Sequence, residues 1–110
     1  PQISPSNATQ YYQRVVEALG GRSEINDSYR LFMAPGMGHC SGGEGPNSFD
    51  MISALEAWVE SDEAPESILA VHRTNGEVDR SRPLCPFPEV AAYTGTGSTD
   101  EVENFECRVP

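Results

Sequence analysis

Between Thr9 and Leu19 the apolar side chains fall at Tyr12, Val15, Val16 and Leu19, the i, i+3, i+4, i+7 stripe of an amphipathic helix. Gly20-Gly21 follows at once and supplies a C-terminal stop. Tyr29 to Met33 is short, rich in strand formers and ended by Ala34-Pro35-Gly36, so it reads as a strand running into a loop. That loop, Gly36 to Pro46, is dense in glycine. Asn47 is a good helix N-cap with Asp50 in the first turn, and Met51, Ile52, Leu55, Trp58 and Val59 then form one broad apolar face. This second helix is expected to end before Pro65. Ile68-Leu69-Ala70-Val71 is a continuous apolar run of strand length, the pattern of a strand covered on both faces, and Asn75-Gly76 after it signals a turn. Beyond Arg82 the tail carries four prolines and two cysteines.

Alternating helices and buried strands predict an α/β fold with a parallel sheet. Two strands do not stabilise such a sheet, so most of it is expected from residues outside this chain. Residues 1–110 are therefore read as one part of a larger domain. Composition agrees: the chain is 110 residues long and only 37% hydrophobic, little for a self-sufficient core. The start, Pro1-Gln2-Ile3-Ser4, resembles the inside of a longer chain.

A net charge of −10 argues against nucleic acid or anionic membranes as partners, since both need a basic footprint. No apolar run approaches the roughly 18 residues that span a bilayer. Asn7-Ala8-Thr9 and Asn26-Asp27-Ser28 are glycosylation sequons, making Asn7 and Asn26 candidate acceptors in a secretory pathway. Cysteines stand at 40, 85 and 107, too far apart for a zinc knuckle, and no metal site is expected. Cys85 and Cys107 bracket a segment poor in apolar residues, which a disulfide between them would constrain. Cys40 is then either a reactive thiol or a residue whose partner lies elsewhere.

His39 is the strongest candidate for chemistry. It stands six residues after Met33 in a glycine-rich loop, and functional loops of doubly wound sheets leave the C-terminal ends of strands. A structural loop histidine is the alternative. His72, inside a predicted strand, reads as an edge or surface residue. Ser41 does not sit in a nucleophile elbow, which needs glycine two residues before and after it; position 39 is histidine. Gly42, Gly43 and Gly45 lack the lysine and the spacing of a phosphate-binding loop.

Arg30-Leu31-Phe32-Met33-Ala34-Pro35-Gly36-Met37-Gly38-His39-Cys40, followed by Gly45-Pro46-Asn47-Ser48-Phe49-Asp50, closely resembles the tannase and feruloyl esterase family. The likeness continues through Arg82-Pro83-Leu84-Cys85-Pro86-Phe87-Pro88, Tyr93-Thr94-Gly95-Thr96-Gly97 and Asn104-Phe105. It begins early, at Tyr11-Tyr12, Arg14-Val15-Val16 and Gly20-Gly21.

The resemblance implies the C-terminal portion of an α/β-hydrolase fold, with the nucleophile, the acid and a lid in a missing N-terminal portion. In that family the catalytic serine follows a cysteine, the catalytic histidine precedes one, and the two cysteines are bridged. His39-Cys40 matches the second half, so the resemblance makes His39 the catalytic base and links Cys40 to a cysteine outside this chain. The family's aspartate sits just before a segment like Pro1–Pro5, and its lid often binds calcium.

The implied reaction is acyl transfer in a secreted, extracellular serine esterase. His39 takes the serine proton, the aspartate fixes its tautomer, and the histidine then protonates the leaving alcohol. Relatives act on gallate esters, on feruloyl and other hydroxycinnamoyl esters and, in one bacterial branch, on mono-esters of terephthalate. The sequons and the Gly-Thr-Gly tail look most like fungal feruloyl esterases, so a phenolic ester is the first expected substrate and a tannase's gallate ester the second. The rival class is a small secreted binding module stapled by disulfides, in which His39 is only a loop residue.

Overall fold

The computed structural model describes residues 3–110, so Pro1 and Gln2 of the Pro1–Pro5 segment lie outside the described residues. Helix α1 spans Ser6–Ala18. Its predicted stripe turns Tyr12 into the interior and leaves Leu19 exposed. The helix closes at the expected glycines: Leu19 N–H donates to Val15 O at 3.0 Å and Gly21 N–H to Val16 O at 2.9 Å. A four-residue helix, α2 (Arg22–Ile25), follows; it is too short for periodicity to reveal. Ile25 is buried, and the Tyr12 ring meets Tyr29 and Phe87 edge-on at centroid distances of 5.4 and 5.7 Å.

The expected strand at Tyr29–Met33 contributes only a single bridge, Phe32 with Pro86, together with the Phe87 N–H donated to Leu31 O at 2.7 Å. Asn47 is not the helix cap. Its N–H donates to Val71 O at 3.0 Å, and the next two residues form β1 (Ser48–Phe49). This strand pairing moves the helix start to α3 (Met51–Ser61), capped by Asp50. The Asp50 carboxylate accepts from Ser53 N–H at 3.0 Å and Ser53 Oγ at 2.7 Å, and these bonds, the hydroxyl's first, hold its pKa below the usual carboxylate value.

Helix α3 departs furthest from expectation. Met51, Ile52, Leu55 and Val59 lie on one face, as the pattern predicts, but they are exposed rather than buried, and Trp58 is half-covered beneath Arg30.

Strands β2 (Ile68–Thr74) and β3 (Glu77–Leu84) form a hairpin. Asn75 and Gly76 both take positive φ, 53° and 83°, the two-residue turn whose twist matches the flanking strands. The order is β1-β2-β3 and every pairing among the described residues is antiparallel, so β2 does not have the parallel neighbour expected for it within this chain. The physical reason is the turn itself: two residues return the chain directly beside β2, where a parallel neighbour needs a crossover. β3 escaped notice because it carries four charged residues and Pro83, which its edge position tolerates. Nor is β2 covered on both faces, since Ala70 is buried while Leu69 is exposed.

Strands β4 (Val90–Tyr93) and β5 (Phe105–Arg108) form a second antiparallel pair, with Ala91 opposite Cys107. Cys85, buried just past the end of β3, is bonded to Cys107 as expected, with 5.5 Å between the Cα atoms. The Thr94–Asn104 stretch is tied back by polar contacts: Arg82 Nη2 donates to Thr99 O at 2.6 Å and its guanidinium lies 4.2 Å from the Phe105 ring centroid.

Since the tail holds to the body through these contacts and one crosslink, replacing Cys85 and Cys107 together by serine is predicted to destabilise it by about 3 kcal/mol, the chain-entropy value for a loop of this size. Thermal unfolding of the full-length protein measures the loss, and unchanged stability would count against the tail's dependence on the bond.

Candidate functional site

The loop from Gly36 to Pro46 is closed at its neck by glycines. Gly36 takes φ +76°, and a Cβ there would lie 2.9 Å from both Cα and N of Gly45. Gly43 takes φ +103°, and a Cβ on it would collide with Gly36 O. Only glycine permits this approach and these angles. Across the neck Gly45 N–H donates to Gly36 O at 3.0 Å, and nearer the tip Gly38 N–H donates to Gly42 O at 2.8 Å. Below it, Met33, Pro35, Pro46, Leu84 and Phe87 line an apolar groove of about 350 Å³.

His39 and Cys40 stand at the tip, both exposed. Cys40 takes φ +64° and has no disulfide partner among the described residues, with Sγ 3.4 Å from His39 Nδ1. Among the described residues no hydrogen bond occupies His39 Nε2, and no carboxylate reaches the ring. Ser41 is exposed and makes no hydrogen bond to His39. The loop thus presents one exposed imidazole above a neck of glycines.

The remaining predicted positions are dispersed. Asn7 is exposed in the first turn of α1; Asn26, just past α2, is half-buried, and its carbonyl accepts from Arg30 Nε at 2.9 Å. His72 lies on the middle strand, but β1 reaches only Ala70 and Val71 and leaves it one neighbouring strand, so it stands at a local edge, in keeping with its reading as an edge or surface residue. A bulge after His72 turns Asp79 between two partners, so that its carboxylate meets Thr74 Oγ1 and His72 Nδ1, each at 2.6 Å. These contacts, the threonine's first, hold the Asp79 pKa below the ordinary range.

Among the described residues no three His, Cys, Asp or Glu side chains gather where they could hold a metal ion. None of the described helices is long and apolar enough to cross a membrane. Asn47, which the pattern reading assigned to a helix cap, touches the histidine loop instead. Its side-chain Nδ2 donates to Gly43 O at 3.2 Å, a contact that no spacing in the sequence signals.

Fold and loop together describe a mixed helix-and-sheet segment that projects a histidine from a glycine neck. A family model described as tannase and feruloyl esterase matches residues 1–108. The chain belongs to that family. It is 44% identical to a mono(2-hydroxyethyl) terephthalate hydrolase from Piscinibacter sakaiensis, covering 98% of this chain and 18% of that protein. To a probable feruloyl esterase from Arthroderma benhamiae it is 38% identical, covering 96% of the chain and 20% of the relative. The crystal structure of feruloyl esterase B from Aspergillus oryzae superposes with a TM-score of 0.89 at 26% identity, over 96% of this chain and 24% of that one. A second esterase structure from Aspergillus oryzae gives 0.87 at 32% identity, over 96% and 25%. The chain therefore spans about a fifth to a quarter of the length of these relatives.

Proposed function

We propose that this chain is the histidine-bearing, C-terminal portion of an α/β-hydrolase-type serine esterase that cleaves phenolic acid esters, with His39 as general base. The observation that carries the reading is the exposed imidazole at the tip of the glycine-necked loop, with no hydrogen bond to its Nε2 among the described residues, within a chain matched to the family over residues 1–108. The nucleophilic serine and the orienting aspartate come from the remainder of the polypeptide. That remainder covers the apolar face of α3, where Met51, Ile52, Leu55 and Val59 are exposed.

In the reaction, His39 Nε2 takes the serine proton as the serine oxygen attacks the ester carbonyl, and the imidazolium then protonates the departing alcohol. Water enters, loses its proton to the same nitrogen and releases the acid. Cys40 is bridged to the cysteine beside the serine, so that the sulfur next to His39 limits how far the imidazole drifts from the hydroxyl. Calcium belongs to the lid and takes no part in these steps.

Secretion into an oxidising compartment fits the Cys85–Cys107 bond. The exposed Asn7 is the more accessible sequon for a glycan. Feruloyl and related hydroxycinnamoyl esters are the first substrate class and gallate esters the second. The relative named as a terephthalate mono-ester hydrolase favours a third reading of the same chemistry, an aromatic mono-ester.

His39→Ala in the full-length protein is predicted to lower kcat by about 10⁴-fold or more, as for other triad members, with the fold intact. Turnover of methyl ferulate, methyl gallate and mono(2-hydroxyethyl) terephthalate checks this, and a variant that kept a tenth of wild-type activity on the best of them would contradict the assignment.

Cys40→Ser is predicted to reduce kcat more than it raises KM, since displacements near 1 Å cost about 100-fold in rate. Assays well below the melting temperature separate this from lost stability. Wild-type kcat in the variant, or a free Cys40 thiol in peptide maps of the active, unreduced enzyme, would remove the tether.

A further inference from the structure

We propose that Asn47 is a positioning residue for His39, tying the histidine loop to strand β2 through its side-chain amide on Gly43 O and its backbone N–H on Val71 O. The inference rests on the reading of His39 as general base. Its starting point is the unequal support of the loop's two limbs. The incoming limb is fixed before the neck by the Phe32–Pro86 bridge and by Phe87 N–H on Leu31 O. The outgoing limb has buried Pro46 and then Asn47, which acts in both directions: its N–H donates to Val71 O at 3.0 Å, and its Nδ2 donates to Gly43 O at 3.2 Å.

From Gly43 the support continues to the histidine. The position of a Cβ on Gly43 lies 2.8 Å from Gly38 N, so the two residues are in close backbone contact, and Gly38 N–H is bonded to Gly42 O at 2.8 Å. His39 is the next residue. A short series of polar and backbone contacts thus leads from β2 through Asn47 and Gly43 to Gly38, the residue that precedes His39.

Residues 38–44 are all exposed, so apolar burial does little to restrain this stretch. Glycine gives it wide backbone freedom. The Asn47 amide is the side-chain contact that limits this freedom between tip and sheet. Losing it lets the tip shift, and because proton transfer needs a heavy-atom approach of about 2.6–3.2 Å, a shift near 1 Å is felt in the chemical step. Ester binding, made mainly outside this loop, is left alone.

Two variants separate the donor from the side chain's bulk. Asn47→Ala removes both. Asn47→Asp keeps the shape and the backbone bond to Val71, but an ionised carboxylate has no hydrogen to give Gly43 O. The test is steady-state kinetics of the full-length protein on its best ester from the panel above, with kcat referred to active molecules counted by burst titration and His39→Ala assayed alongside. Both Asn47 variants should lose kcat on the order of 10- to 100-fold with KM within about twofold. Wild-type kcat per active molecule in Asn47→Asp, or a loss confined to KM, overturns the proposal, and Asn47→Asp decides the matter if Asn47→Ala does not fold. An active His39→Ala withdraws the general-base reading and this inference with it. An inactive His39→Ala beside a wild-type Asn47→Asp removes the positioning role alone.

Discussion

The backbone contact of Gly36 with Gly45 is the constraint on which the site depends. With no side chain on either residue, the two limbs of the histidine loop meet at contact distance and share a hydrogen bond. His39 can then be carried on an exposed tip without burial of the tip itself. A Cβ at Gly36, Gly43 or Gly45 would strike backbone, which has no rotamer to escape into, and would force the neck apart. The packing below serves the same end: Tyr12, Tyr29 and Phe87 bring α1, the incoming limb and the segment after β3 together. The Cys85–Cys107 bond then fixes the tail to the same point.

The amount of core is small for the length. Tyr12, Ile25, Ala70, Leu84 and Cys85 are its buried apolar members, whereas four large apolar side chains of α3 face outward, Val59 with 77% of its surface exposed. Covering such a side chain is worth about 1.5–3 kcal/mol. Under the proposed reading α3 is thus an internal helix of a larger domain whose other layer comes from the remainder of the polypeptide. The same reading accounts for an imidazole that meets no carboxylate among the described residues, because its partners belong to that other layer.

Much of this was legible in the sequence where a local rule acts alone. The helix through Tyr12, Val15 and Val16, the Asn75-Gly76 turn and the glycine-rich loop each needed only neighbouring residues, and each is present, although Leu19 falls past the helix end and is exposed. Cys85 and Cys107 were paired on the poverty of apolar residues between them. Misreadings arose where a distant partner decided the outcome. Asn47 has the chemistry of a cap, but the carbonyl of Val71 takes its N–H and leaves capping to Asp50. Glu77–Leu84 has a strand's geometry without a strand's composition, since only its pairing with β2 and its edge position make Pro83 and four charges acceptable there. The run Ile68–Val71 suggested a strand buried on both faces in a parallel sheet; here it is a hairpin strand with Leu69 exposed. The histidine itself stood out by position and by resemblance, while its brace from Asn47 follows from a fold that sequence spacing does not reveal.

The most direct test of the central claim is a crystal structure of the full-length protein after reaction with a serine-directed phosphonate. The account predicts phosphorus bonded to a serine outside this chain, with His39 Nε2 about 2.6–3.2 Å from that serine's oxygen. Phosphorus bonded to Ser41, or a phosphonylated serine from which His39 is turned away with another side chain in its place, would contradict it.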